Sequence, residues 1–78
     1  MRPKKRSLTL KGHRTSVSLE DEFWQAFLSI AKRKNTPINA LAAEIDTARK
    51  LDCGLASAIR LYVLRDLERL AFNMKHET

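Results

Sequence analysis

Arg14, Ser16 and Ser18 alternate along the chain with Thr15, Val17 and Leu19. A period of two puts the first three on one face of an extended strand and the last three on the other. One face is then a guanidinium and two hydroxyls, and the other is fit for a core. Arg carries a rigid fork of donors that can satisfy two acceptors at once, including those on the edge of a guanine. Ser hydroxyls donate and accept and discriminate less between partners. This is the chemistry of recognition rather than of bond-making. No other constellation points to catalysis. Glu20, Asp21 and Glu22 sit together where a helix begins, and dipole complementarity accounts for them. His13, Cys53 and His76 lie in three different segments, without the spacing of a metal site. We therefore expect no enzyme activity, no metal and no cofactor.

The charge distribution supports a polyanionic partner. The 78-residue chain has a formal net charge of +6. Arg2, Lys4, Lys5, Arg6, Lys11 and Arg14 fall within residues 1–18, which hold no Asp or Glu. The remaining nine basic residues are balanced by nine acidic ones, so the whole excess sits at the front. A polyanion bound there would release counterions and bind with a steep salt dependence. The single Cys53 excludes an internal disulfide and fits a reducing compartment, so a cytoplasmic location is expected. No apolar run reaches membrane-spanning length, and no membrane partner is expected.

Several elements must position these groups. Residues 1–12 read as a basic arm, with residues 1–6 disordered. Leu8 and Leu10 alternate with Ser7, Thr9 and Lys11. They suit either a brief strand or an extension of the main one, with Gly12 as bulge or turn. The main strand is residues 13–19. A first helix over residues 20–34 has acidic residues in its opening turn and Lys32, Arg33 and Lys34 in its last. Its apolar stripe is Phe23, Phe27, Ile30 and Ala31, widened by Trp24 and Leu28. Thr36 suits an N-cap and Pro37 a first helical position. The second helix then runs to about residue 50 with Ile38, Leu41, Ala42, Ile45 and Ala48 inward. A turn over residues 51–54 leads to a third helix over residues 55–72. That helix is apolar nearly all round between Ala58 and Leu64, so its middle is expected to be buried. Its Arg65–Arg69 run reads as a solvated face with close ion pairs, or as a contact surface between dimers. A strand at the front of a helical chain with no evident partner would pair with a second copy, because its backbone groups need partners.

A strand, helix, turn and helix with this spacing resembles the ribbon-helix-helix fold of Arc- and MetJ-type repressors. The resemblance is carried by Arg14-Thr15-Ser16-Val17-Ser18-Leu19, the first-helix stripe and the Thr36-Pro37-Ile38-Asn39-Ala40-Leu41 entry, over residues 13–50. The run Ser7 to Glu20, with Leu55-Ala56-Ser57-Ala58-Ile59-Arg60, also resembles a small proteobacterial subfamily carrying an extra C-terminal helix. The likeness implies a homodimer in which two chains pair their strands into an antiparallel ribbon that enters the DNA major groove. Arg14, Ser16 and Ser18 would contact bases. Thr15, Val17, Leu19, Phe23, Phe27, Leu41 and Ile45 would form the dimer core. Thr36 and Asn39, at the second helix's start, would contact phosphate together with Lys4, Lys5, Arg6 and Lys11.

The expected architecture is thus mostly α with one N-terminal strand: a basic arm (residues 1–12), a ribbon-helix-helix core (13–50) and a turn with an additional helix (51–78). The expected function is sequence-specific binding of double-stranded DNA, as a transcriptional regulator or repressor. The alternative is a protein-interaction or oligomerisation module, adaptor or antitoxin-like, acting through a partner on the C-terminal helix.

Overall fold

The computed structural model describes residues 2–76. The chain starts with two strands, β1 (Lys4–Leu10) and β2 (His13–Leu19), followed by three helices, α1 (Asp21–Arg33), α2 (Ile38–Ala48) and α3 (Leu55–His76). The two strands form an antiparallel hairpin, with Leu10 opposite His13 and Lys4 opposite Leu19. Its two-residue turn is Lys11-Gly12, with φ of 51° and 83°. Positive φ at both central residues is what a hairpin turn matched to the twist of its strands requires. Gly12 adopts it freely, and Lys11 does so at a steric cost.

This corrects the expectation that the strand has no partner within the chain. The ribbon is intramolecular: β1 supplies the second strand, residues 4–6 are not disordered, and of the two readings of Leu8 and Leu10 it is the separate strand that forms. The cause is legible in physical terms. Leu8 and Leu10 repeat at period two, and a Gly at the turn lets the strand fold back onto β2.

The inner face of the hairpin delivers Leu8, Val17 and Leu19 to the core. They meet Phe27, Ile30 and Ala31 of α1, Leu41, Ala42 and Ile45 of α2, and Ile59 and Val63 of α3. The core closes within one chain, and α3 is part of it. Phe27 is fully enclosed, with Tyr62 edge-on at 6.4 Å between ring centroids.

Local signals set the helix ends. α1 has Asp21 and Glu22 in its first turn and Lys32 and Arg33 in its last, both sets favourable to the helix dipole. It stops in a Schellman motif. Asn35 takes φ of 54°, its N–H donates to Lys32 O at 3.0 Å, and Thr36 N–H donates to Ala31 O at 2.9 Å. Thr36 is not the N-cap of α2. Pro37 holds that position, and the Thr36 hydroxyl donates to Lys34 O instead. The Arg65–Arg69 segment is also not simply solvated. Asp66 is buried and accepts from Arg33 through both oxygens at 2.7 Å and from Arg69 at 2.7 Å. Burial alone would raise its pKa, but the two guanidiniums prevail and hold it below the ordinary carboxylate value. The third helix is also longer than its apolar pattern suggests. It buries Ile59 and Val63 but leaves Leu61, Leu64 and Leu67 exposed.

The turn is the point most open to test. Lys11→Asn should raise stability by about 0.5–1 kcal/mol, because Asn tolerates positive φ, and Gly12→Val should lower it by about 1–2 kcal/mol. Urea unfolding followed by circular dichroism reads both. Equal stability of the three proteins would show that the turn does not constrain the fold.

Candidate nucleic-acid interface

Cross-strand pairing decides which side chains share the outer face. Lys5 lies opposite Ser18, Ser7 opposite Ser16, and Thr9 opposite Arg14. Residues opposite each other in an antiparallel pair project to the same side. Leu8 and Val17 face the helices, so these six face away from them, and all six are exposed. The result is a polar surface with two cations, four hydroxyls and no carboxylate. Lys11 adds a third cation at the turn. The three residues read from the main strand, Arg14, Ser16 and Ser18, are brought together as expected. Lys5, Ser7 and Thr9 were not grouped with them. The alternation Ser7-Leu8-Thr9-Leu10 carried the signal, but only the pairing register shows that it falls on the same face.

The same register sorts the backbone groups. A two-residue turn closes with a hydrogen-bonded pair, here Leu10 and His13, and bonded and non-bonded pairs then alternate. Arg14, Ser16 and Ser18 fall in the non-bonded pairs, so their N–H and C=O groups point away from β1, along the outer edge of β2. Lys5, Ser7 and Thr9 likewise point theirs along the outer edge of β1. Two side-chain bonds agree. Thr9 N–H donates to Asn39 Oδ1 at 3.0 Å, and Arg60 Nη2 donates to Ser18 O at 3.3 Å. The first turn of α2 therefore lies beside β1, with β1 between it and β2. Asn39, read as a phosphate contact, has its carbonyl oxygen tied to the sheet.

The cations of β1 divide between two faces. Lys5 is on the outer face. Lys4 and Arg6 are on the inner one, where both pair with Asp21, Lys4 at 3.3 Å. Arg6 is half-buried, lies 5.5 Å over the Trp24 ring and donates to Leu19 O at 3.3 Å. Its Nε is buried without a hydrogen-bond partner. Arg6 is thus held in the fold rather than presented with the outer face. Its bond to Asp21, with that of Lys4, keeps the Asp21 carboxyl below its ordinary pKa. At the same end of β2, Glu20 accepts from Arg60 at 3.0 Å. Its own backbone amide and Arg60 together lower its pKa. Both carboxylates that directly follow β2 are therefore neutralised by cationic partners.

Of the residues read as a dimer core, Val17, Leu19, Phe27, Leu41 and Ile45 are buried within this one chain, and Phe23 is half-buried. Thr15 is exposed. It opens onto a groove of about 370 Å³ shared with Leu10, His13, Ala43 and Leu55. Among the described residues no group of His, Cys, Asp and Glu side chains could hold a metal ion. No helix among them is long and apolar enough to cross a membrane.

Replacing Asp21 should separate the structural from the electrostatic role of the inner cations. A depressed carboxyl pKa contributes stability that is present above the unfolded value and lost as pH falls through the folded one. Asp21→Asn should therefore lower stability at pH 7 and flatten its decline below about pH 4. An unchanged acid limb in thermal melts between pH 2 and 7 would show that Asp21 is uncoupled from folding.

Residues 3–67 match the model of the ribbon-helix-helix domain. No curated protein and no solved structure matches the chain.

Proposed function

The chain belongs to the ribbon-helix-helix family, typically DNA-binding, dimeric and non-enzymatic, and we propose that it is a sequence-specific DNA-binding protein that regulates transcription. The observation that carries this reading is the outer hairpin face, where Arg14, Ser16 and Ser18 stand exposed on a surface with cations and no carboxylate. The major groove admits antiparallel strands, and Arg14 can bond the O6 and N7 acceptors of a guanine. Ser16 and Ser18 would add weaker contacts to base edges. Lys5, Lys11 and the start of α2, around Thr36 and Asn39, would contact phosphate. Lys4 and Arg6 contribute charge at longer range from the inner face.

Dimerisation fits the open edge of β2. The backbone groups of Arg14 and Ser16 line that edge, while the Ser18 carbonyl accepts from Arg60, and a second copy can pair with the Arg14 and Ser16 groups antiparallel about a two-fold axis. Two hairpins joined this way make a four-stranded sheet whose two central strands are the β2 pair. The operator would then contain inverted half-sites.

A second reading, oligomerisation through α3, is favoured by one feature. Arg60, Leu64, Leu67, Ala71 and Met74 follow alternating steps of four and three, the spacing of a coiled-coil seam. Leu64, Leu67 and Met74 are 50%, 53% and 75% exposed. If this seam joins copies, Leu64→Asp with Leu67→Asp should reduce the mass seen by sedimentation equilibrium. Unchanged mass would remove the reading.

The DNA reading is tested by fluorescence anisotropy across a salt series. The probes are a random duplex and the duplex enriched from a random pool by the wild-type protein. Arg14→Ala should weaken binding of the enriched duplex by about tenfold or more, and weaken the random duplex less. Failure of the wild type to bind either duplex at low salt would sink the proposal.

A further inference from the structure

We propose that β1 is a phosphate-contacting strand, with the Ser7 and Thr9 hydroxyls and the Lys5 ammonium lying along the walls of the DNA major groove. The inference rests on the DNA reading and on pairing at the β2 edge, and it adds an element to both. Two observations and one dimension lead to it. Lys5, Ser7 and Thr9 project to the same side as Arg14, Ser16 and Ser18, and they are equally exposed. The first turn of α2 is tied to the outer edge of β1 through Asn39 and Thr9, so β1 lies between the helix start and the strand that carries Arg14. The third ground is geometric, the width of the four-stranded sheet that pairing at β2 would make.

Neighbouring strands lie about 4.8 Å apart, so the two β1 strands of a four-stranded sheet are separated by three such steps, about 14 Å. The major groove is about 12 Å wide. The β2 pair therefore fits over base edges, while each β1 strand falls where the sugar-phosphate backbone rises. Hydroxyls and an ammonium are the groups that bond phosphate oxygens there. Phosphate contacts carry no sequence information, so β1 should strengthen binding to all duplexes alike and fix the sheet's seating in the groove. The Ser and Thr side chains contribute no charge and release no counterions. Lys5 does both.

The test uses the full chain and the two duplex probes, the enriched and the random. The double variant Ser7→Ala with Thr9→Val keeps the size and strand preference of both exposed positions. It should weaken the two probes by the same factor, about tenfold, with an unchanged ratio between them. Its salt slope should match the wild type. Lys5→Gln should also weaken both alike and lower the salt slope by about one. Arg14→Ala, run beside them, should collapse the ratio.

Affinities of the double variant within about twofold of wild type would overturn the inference, since β1 would then be clear of the DNA. A changed ratio would overturn it in the other direction, because β1 would be reading bases. In both cases, loss of the ratio in Arg14→Ala would leave the DNA reading standing. Wild-type protein that binds neither probe would overturn the reading and the inference together.

Discussion

The pairing register of β1 on β2 is the constraint on which the rest of this structure depends. Side chains on a strand alternate between faces, so a slip of one residue would exchange the entire inner set for the outer one. Leu8 would then face water and Ser7 the core. The Lys11-Gly12 turn fixes the register by permitting only a two-residue reversal with both φ values positive. Packing reinforces it, because Leu8 opposite Thr15 and Arg6 opposite Val17 bring one apolar group of each pair to the helices. The polar surface on the far side is a by-product of the same alternation.

Three chains of contact hold the hairpin on the helical layer. Val17 and Leu19 enter the core beside Phe27 and Ile59. Arg6 reaches under the sheet to Asp21 and the face of Trp24. Arg60, on α3, spans from Glu20 to the Ser18 carbonyl while its guanidinium lies 5.8 Å from the Phe23 ring centroid. The third helix is therefore no appendage. It supplies two core side chains and a clasp on the end of β2. The exposed ion pairs among these add little each, and burial of the apolar set dominates.

Much of this was legible in the residues. Period-two alternation over 13–19 and the charge-marked ends of the first helix gave the main strand and α1 nearly to the residue. The family resemblance is upheld over residues 3–67. Residues 4–10 were only partly legible. The alternation around Leu8 and Leu10 left a brief strand open, but the cations of residues 1–6 suggested disorder, and nothing local reveals that Lys4 and Arg6 find Asp21 some fifteen residues later while Leu8 finds the core. Asp66 was misread for a similar reason. Its partner Arg33 lies 33 residues away, and only the packing of α1 on α3 joins them. The candidate interface was half legible. One strand's contribution could be read directly, while the other's needed the register.

The two bonds at the rims of the sheet have a consequence for how many copies can assemble. A bare hairpin offers two edges and can add strands on both sides without limit, the route to fibres. Here the rims are unequal. On the β1 side, the Asn39 carboxamide occupies the Thr9 amide and the start of α2 stands alongside. On the β2 side, Arg60 donates to the last outward carbonyl, Ser18, and among the described residues no hydrogen bond occupies the outward groups of Arg14 and Ser16. In the proposed dimer, one copy would join at β2 and the start of α2 would stand beside each outer rim, so further strand addition would be obstructed and the assembly would end as a finite pair instead of a polymer.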